Sequence, residues 1–124
     1  MAKASPTQAL IGLCLALIPL SGSCDGFPSR PITVIVPFNA GGGSDIFTRI
    51  FQKAIRENNL SPHPLVVENQ GGAGGTIGSR ITKDAPPDGH IIMCLHDGIY
   101  TAQHYGNADW GPDDFEPIAA TGRS

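Results

Sequence analysis

The stretch ITVIVPFNAGGGSD, residues 32–45, decides the fold class. Its first five residues are all β-branched and Pro37 follows the last of them closely, which is typical of a short strand covered on both faces. Consecutive glycines then indicate a turn, after which Ser44 can cap a helix that carries Asp45 in its first turn. Apolar residues recur at three- and four-residue spacing over residues 46–55, so the helix is predicted to be amphipathic.

The same order of elements repeats downstream. The sequence predicts a strand at 65–67, a glycine-rich turn at 69–75, a helix at 76–83, a strand at 90–95, a helix at 98–105 and the start of a strand at 115–120. The second helix is expected to pack through Ile77 and Ile81. Alternating strands and helices at this spacing predict a parallel sheet, so the fold class is α/β.

The two ends of the chain carry separate signals. An apolar run too short to cross a bilayer follows Lys3, and small residues precede Cys24, so residues 1–23 are predicted to be a signal peptide cleaved near Cys24. Cys24 is also a candidate lipidation site, although Ser21 stands where bacterial lipoproteins usually carry leucine. Residues 25–124 offer fewer elements than an open parallel sheet normally needs, so we expect a truncated N-terminal part of a larger domain.

Both glycine-rich turns follow a predicted strand and lead into a helix. In open α/β sheets, ligands bind at the carboxyl ends of the strands. Glycines let main-chain N–H groups approach a ligand closely, and a helix N-terminus adds partial positive charge. The pair of turns therefore predicts a site that holds a carboxylate without Arg or Lys, whereas the alternative is that the glycines only make tight turns.

Two polar residues in these turns have more than one interpretation. A carboxylate beside an anion site would repel the ligand, so Asp45 stabilises its helix start, fixes its turn through main-chain N–H groups, or receives a ligand ammonium or hydroxyl group. Asn69 either binds ligand or ties its turn to the backbone. His96 and Tyr100 follow the third predicted strand and are candidate pocket residues.

Other functional classes find less support. Eight Lys and Arg against eleven Asp and Glu give a net charge of −3, which leaves no electrostatic footprint for nucleic acid. A nucleotide-binding, Rossmann-like enzyme fragment is the alternative, but Ile77 occupies the last glycine position of that fingerprint and no Walker lysine follows. His90, Cys94 and His96 match no common zinc spacing, so no metal is expected. No nucleophile–base arrangement is evident, so no enzyme is predicted.

Five motifs in order carry a family resemblance. They are FPSRPI at 27–32, VPFNAGGGSD at 36–45, VENQGGAGGTIG at 67–78, APPDG at 85–89 and DFEPIA at 114–119. This series closely resembles the Bug family, the extracytoplasmic solute-binding receptors of tripartite tricarboxylate transporters (TctC-like). The resemblance implies a two-lobed Venus-flytrap fold of periplasmic-binding-protein type II, of which this chain contains part of the first lobe.

The resemblance also implies a function. Family members grip a ligand carboxylate on these two loops, through backbone groups and bridging waters, and deliver a small organic acid to the membrane components of the transporter. The implied ligand-binding residues are Phe38, Ala40, Gly41, Gly43, Ser44, Asp45, Asn69, Gly72, Ala73, Gly74, Gly75 and Thr76. The implied location is the periplasm, with no cofactor. Residues 96–110 lack the Thr/Ser-rich stretch of many members, so the ligand's identity does not transfer. A nonfunctional truncation product is the remaining alternative.

Overall fold

The computed structural model describes residues 26–94 and 97–120. The helices and strands in chain order are β1 Ile32–Val36, α1 Gly43–Glu57, β2 Leu65–Asn69, α2 Thr76–Lys83, β3 Ile91–Met93 and α3 Gly98–His104, with short 3-10 turns at Ala73–Gly75 and Pro112–Asp114. The predicted signal peptide, the candidate lipidation site Cys24 and the candidate pocket residue His96 lie outside the described residues.

The three strands form one parallel sheet in the order β2-β1-β3, which confirms the predicted α/β class. The central strand is buried, because Val34, Ile35 and Val36 are 4%, 2% and 0% exposed. A strand of β-branched residues with neighbours on both sides therefore forms the core, as the sequence predicts. In the register of β1 and β2, Val36 pairs with Asn69, so the two strands end at the same edge of the sheet.

The first helix begins at Gly43 with Gly42 as its N-cap and without a side-chain cap, so the predicted capping role of Ser44 is wrong. The face that meets the sheet also differs from the prediction. The side chains of α1 that are buried are Asp45 and Thr48, whereas the apolar stripe is exposed: Ile46 53%, Phe47 42%, Ile50 64% and Phe51 53%. The polar face of α1 meets β2 instead: Gln52 Nε2 donates to the main-chain oxygen of Leu65 at 2.7 Å.

The second helix also buries a different face from the one predicted. Ile77 and Ile81, expected to pack inward, are 49% and 39% exposed, and the buried residues of α2 are Thr76, Gly78 and Ser79. A Cβ at Gly78 would lie 2.8 Å from Pro37 Cα and 2.7 Å from the Gln70 oxygen. The helix therefore approaches the end of β1 through its small residues, where no isoleucine side chain would fit.

The C-terminal part of the described chain is held by packing. The strand predicted at 115–120 does not form among the described residues; instead, Phe115 packs edge-on against Trp110 at a ring-centroid distance of 5.9 Å. Trp110 is 4% exposed, and α3 contributes the buried residues Ile99 and Ala102. The helix predicted at 98–105 is thus confirmed, while β3 is shorter than expected.

Candidate functional site

Two glycine-rich loops lie side by side at the carboxyl edge of the sheet. Loop 1 (residues 37–42) connects β1 to α1, and loop 2 (residues 70–75) connects β2 to α2. They touch each other, since a Cβ at Gly71 would collide with the side chain of Asn39, and a Cβ at Gly75 would lie 3.3 Å from the Phe38 ring. The prediction that both turns meet at one edge is therefore confirmed.

Most of the exposed residues at the loops are glycines, so the loops present main chain to the solvent. Residues 39–43, which include the first residue of α1, and residues 72–74 are exposed, and five of these eight residues are glycines. Gly72 has a φ of 126°, a conformation that side-chain-bearing residues rarely adopt, so glycine is required where loop 2 leaves the sheet. Gly75 and Thr76 are buried beneath this surface, and the Thr76 hydroxyl donates to the Ala73 oxygen at 2.9 Å. The Thr76 main-chain N–H donates to the same oxygen, so both donors of Thr76 hold the end of loop 2, and its ligand-binding role stays a prediction.

The N-termini of α1 and α2 both open at this edge without side-chain caps. In α1 the first main-chain bond within the helix runs from the Ile46 N–H to the Gly42 oxygen at 2.9 Å. The N–H groups of Gly43, Ser44 and Asp45 precede that bond and have no intrahelical acceptor. Free N–H groups together with the helix dipole favour a negatively charged group at this position.

Asp45 is turned away from this surface and into the protein, where it is 3% exposed. Its carboxylate accepts hydrogen bonds from Gly41 N–H at 2.8 Å, from Arg49 Nε at 3.0 Å and from Asn69 Nδ2 at 3.0 Å. Chiefly the Gly41 N–H, and next the Arg49 guanidinium, lower the pKa of Asp45 from 3.8 to about 2. Of the interpretations open at the sequence level, the geometry favours the one in which Asp45 fixes its loop.

Asn69 serves a similar purpose. Its Nδ2 donates to the Phe38 oxygen at 3.2 Å as well as to Asp45, and its Oδ1 accepts from the Arg49 guanidinium at 3.1 Å. Both ends of the amide are therefore engaged within the protein, which favours the turn-tying interpretation. The role of Arg49 was not recognised in the sequence; the signal that could have revealed it is the four-residue spacing between Asp45 and Arg49 on a helix.

The third helix borders loop 2. A Cβ at Gly98 would lie 3.4 Å from the Gly74 oxygen, so α3 begins beside the loop. Tyr100, two residues further on, is 58% exposed. This places Tyr100 on an exposed surface of the helix that adjoins the site, and its role as a pocket residue stays a prediction.

A small cavity lies beneath the loops. Its volume is about 10 Å³, and its lining includes Phe38, Gly75, Ser79 and Trp110. This is room for about one water molecule, so an organic acid would have to bind on the exposed side of the loops. The Trp110 Nε1 atom is buried and has no hydrogen-bond partner among the described residues.

A serine, a histidine and an aspartate also come together, which the sequence did not suggest. His90 Nε2 lies 3.5 Å from Ser29 Oγ, and His90 Nδ1 lies 3.3 Å from Asp88 Oδ1. However, Nε2 accepts the Ser29 main-chain N–H at 3.2 Å, and Nδ1 forms no hydrogen bond among the described residues. His90 is 6% exposed and precedes β3, at the sheet edge opposite the loops. The geometry is that of a structural contact, in which His90 holds Ser29 and the segment before β1 against the start of β3.

No cluster of three or more His, Cys, Asp or Glu side chains in residues 26–94 and 97–120 is arranged to hold a metal ion. Within the same residues, no helix combines the length and the apolar character needed to cross a membrane.

Known proteins resemble this chain both in sequence and in structure. No family model matches the chain. Protein BugT of Bordetella pertussis is 36% identical over 87 residues, which are 68% of this chain and 26% of that protein. A TctC solute-binding protein from Polaromonas superposes with a TM-score of 0.70 and 36% identity over 75% of this chain and 32% of that structure. A protein of R. palustris, solved with adipate, superposes with a TM-score of 0.50 and 28% identity over 55% of this chain and 22% of that structure.

These comparisons identify the class of protein first. The TctC neighbour is a solute-binding protein, and the chain has the fold of part of it. Within that class, the homologues and neighbours support the Bug/TctC-like family for this chain, as its motifs imply. The chain spans between 26% and 36% of the length of the curated relatives it matches.

Proposed function

We propose that this chain provides part of the ligand-binding lobe of an exported receptor that captures a small carboxylate for a tripartite tricarboxylate transporter. The observation that carries the proposal is the pair of adjoining loops, each leading into a helix N-terminus without a side-chain cap at one edge of the sheet. A di- or tricarboxylate is the class of ligand that suits this surface, because it would present a charged oxygen pair to several N–H donors at once.

The charge distribution supports main-chain recognition. Residues 37–44 and 70–76 contain no Lys or Arg, and the whole chain has a net charge of −3. The nearest cation described at the loops, Arg49, is engaged by Asp45 and Asn69. Attraction of an anion would therefore come from oriented amides and helix dipoles rather than from side-chain charge.

The relatives extend the proposal beyond the loops. The structural neighbour solved with adipate holds a dicarboxylate, which is the chemical class proposed here. By analogy with a structural neighbour described as a periplasmic transporter, we propose that this protein is periplasmic, with residues 1–23 as its signal peptide and residues 25–124 as part of lobe one. The membrane components of the transporter are its proposed partners. Lipidation of Cys24 would add a membrane anchor.

A thermal unfolding experiment tests the proposal. The complete coding sequence is expressed for export, and the purified protein is heated with adipate, succinate or citrate and, as a matched control, with adipamide, which has the same carbon chain without charge. A ligand that binds the native state alone, present at about one hundred times its Kd, stabilises by about 2.7 kcal/mol. We expect at least one acid, and not adipamide, to raise the unfolding temperature. Equal curves with every acid and with adipamide would refute the proposed function.

A further inference from the structure

We propose that Arg49, Asp45 and Asn69 form a bridge of positioning residues that fixes loop 1 against the end of β2 and so sets the direction of the loop 1 amides. The inference rests on the proposed function, because it assigns these residues to the carboxylate site. It differs from the ligand-contact role that the family resemblance implies for Asp45 and Asn69.

The bridge joins three separate segments through one carboxylate. Gly41 belongs to loop 1, Arg49 to the second turn of α1, and Asn69 to the end of β2, and each donates a hydrogen bond to Asp45 at 2.8 to 3.0 Å. Asn69 adds a second bond to loop 1 through the Phe38 oxygen. Loop 1 is therefore held at both of its ends, and the main chain between them is left exposed.

Arg49 completes the bridge from the side of the helix. Its Nε bonds to Asp45 Oδ1 at 3.0 Å while its terminal nitrogen bonds to Asn69 Oδ1 at 3.1 Å, so one guanidinium spans α1 and β2. A planar fork with several donors can make both bonds, whereas a lysine ammonium on a flexible stem would not hold the same two directions together. The guanidinium also neutralises the Asp45 carboxylate, which would otherwise repel an anion on the neighbouring loop.

The same helix offers a matched control. Lys53 and Glu57 form an i,i+4 ion pair at 3.8 Å, with side chains 63% and 56% exposed. It has the same four-residue spacing as the Asp45–Arg49 pair, with the order of acid and base reversed and lysine as the cation, and it lies beyond the loops. R49M and D45N can therefore be compared with K53M and E57Q, and R49K keeps the charge while losing the fork.

Two measurements separate positioning from a general contribution to folding. The first is the chemical shift of the ¹H–¹⁵N resonance of the Gly41 amide in the ligand-free protein, measured over a range of pH values. The second is the affinity for whichever acid the panel identifies. In R49M and D45N we expect the Gly41 resonance to move and the affinity to fall by about tenfold or more, because binding must then also order a loop that the bridge no longer fixes. About tenfold corresponds to one lost hydrogen bond of the bridge to a charged group. R49K should be intermediate, and K53M and E57Q should match the wild type.

The outcomes are distinguishable. A Gly41 resonance that is the same in R49M as in K53M would overturn the bridge, and so would an unchanged affinity in R49M. If the wild-type protein binds no acid, the proposed function fails, and the Gly41 resonance alone then decides whether the bridge orients loop 1. Circular dichroism of each variant identifies any that are unfolded; for an unfolded R49M, R49K supplies the same comparison.

Discussion

The substitution of Gly43 by proline tests the proposed site at a single atom. Gly43 is the first residue of α1, and its N–H is one of those without an acceptor in the helix. Proline is favoured at this position, because its missing N–H would be unpaired in the helix and its fixed φ suits the helical backbone. Gly42 before it has φ −78° and ψ 170°, the extended conformation that a following proline requires. The change therefore removes one donor and leaves the helix start intact.

The size of the effect follows from the chemistry of that donor. A hydrogen bond to a charged group contributes about 1.5 to 3 kcal/mol, so G43P should weaken binding of the acid by about ten- to a hundredfold. G43A is the matched control, because it keeps the N–H and a Cβ at Gly43 meets nothing within 4 Å among the described residues. Isothermal titration of the acid into wild type, G43A and G43P gives the three affinities. If G43P binds as tightly as G43A, the Gly43 amide does not hold the ligand and the reasoning from helix N-termini is refuted.

Three further predictions concern the scaffold. The pKa of Asp45 is lowered to about 2 in the folded protein, so its contribution to stability is complete above about pH 5 and is lost as the pH falls towards 2. Unfolding temperatures measured from pH 6 to 2 should therefore fall more steeply in wild type than in D45N. Parallel profiles of the two proteins would contradict this. I35A, in a side chain that is 2% exposed, should reduce the free energy of unfolding by about 2 to 5 kcal/mol in urea titrations, and a loss below about 1 kcal/mol would show that β1 is not the core. G78V should lower the free energy of unfolding by about 1 to 3 kcal/mol or more, because the valine side chain would overlap Pro37. A variant as stable as the wild type would mean that α2 can shift away from β1.

Much of this scaffold can be predicted from the sequence, because local signals specify its strands and helices. The strand Ile32–Val36 and the helix Thr76–Lys83 have the predicted bounds, because a run of β-branched residues and a glycine-to-helix transition are local signals that the rest of the protein does not override. The adjacency of the two loops follows from parallel pairing of the strands, so it too could be predicted from the sequence. The position of both loops at one edge of the sheet was therefore accessible from the order of the elements, whereas the ligand-binding role of individual loop residues rests on the family resemblance and stays a prediction.

The orientation of the helices was not accessible in this way. Periodicity identified the apolar stripe of α1 but not the direction in which it faces, and in the structure Asp45 and Gln52 place a polar face against β2. Those contacts join residues 13 to 24 positions apart, and nothing local in the sequence encodes them. The juxtaposition of Ser29 with His90, 61 residues away, was missed for the same reason.

The exposed main chain of the two loops has a consequence for how a bound acid would respond to acidity. Amide groups neither gain nor lose a proton in water at ordinary pH, and Asp45 remains ionised down to a pH of about 2. An acid held in this way would meet the same environment from neutral to mildly acidic conditions. Release of the acid at low pH would then depend on protonation of the bound ligand and not on protonation of the protein.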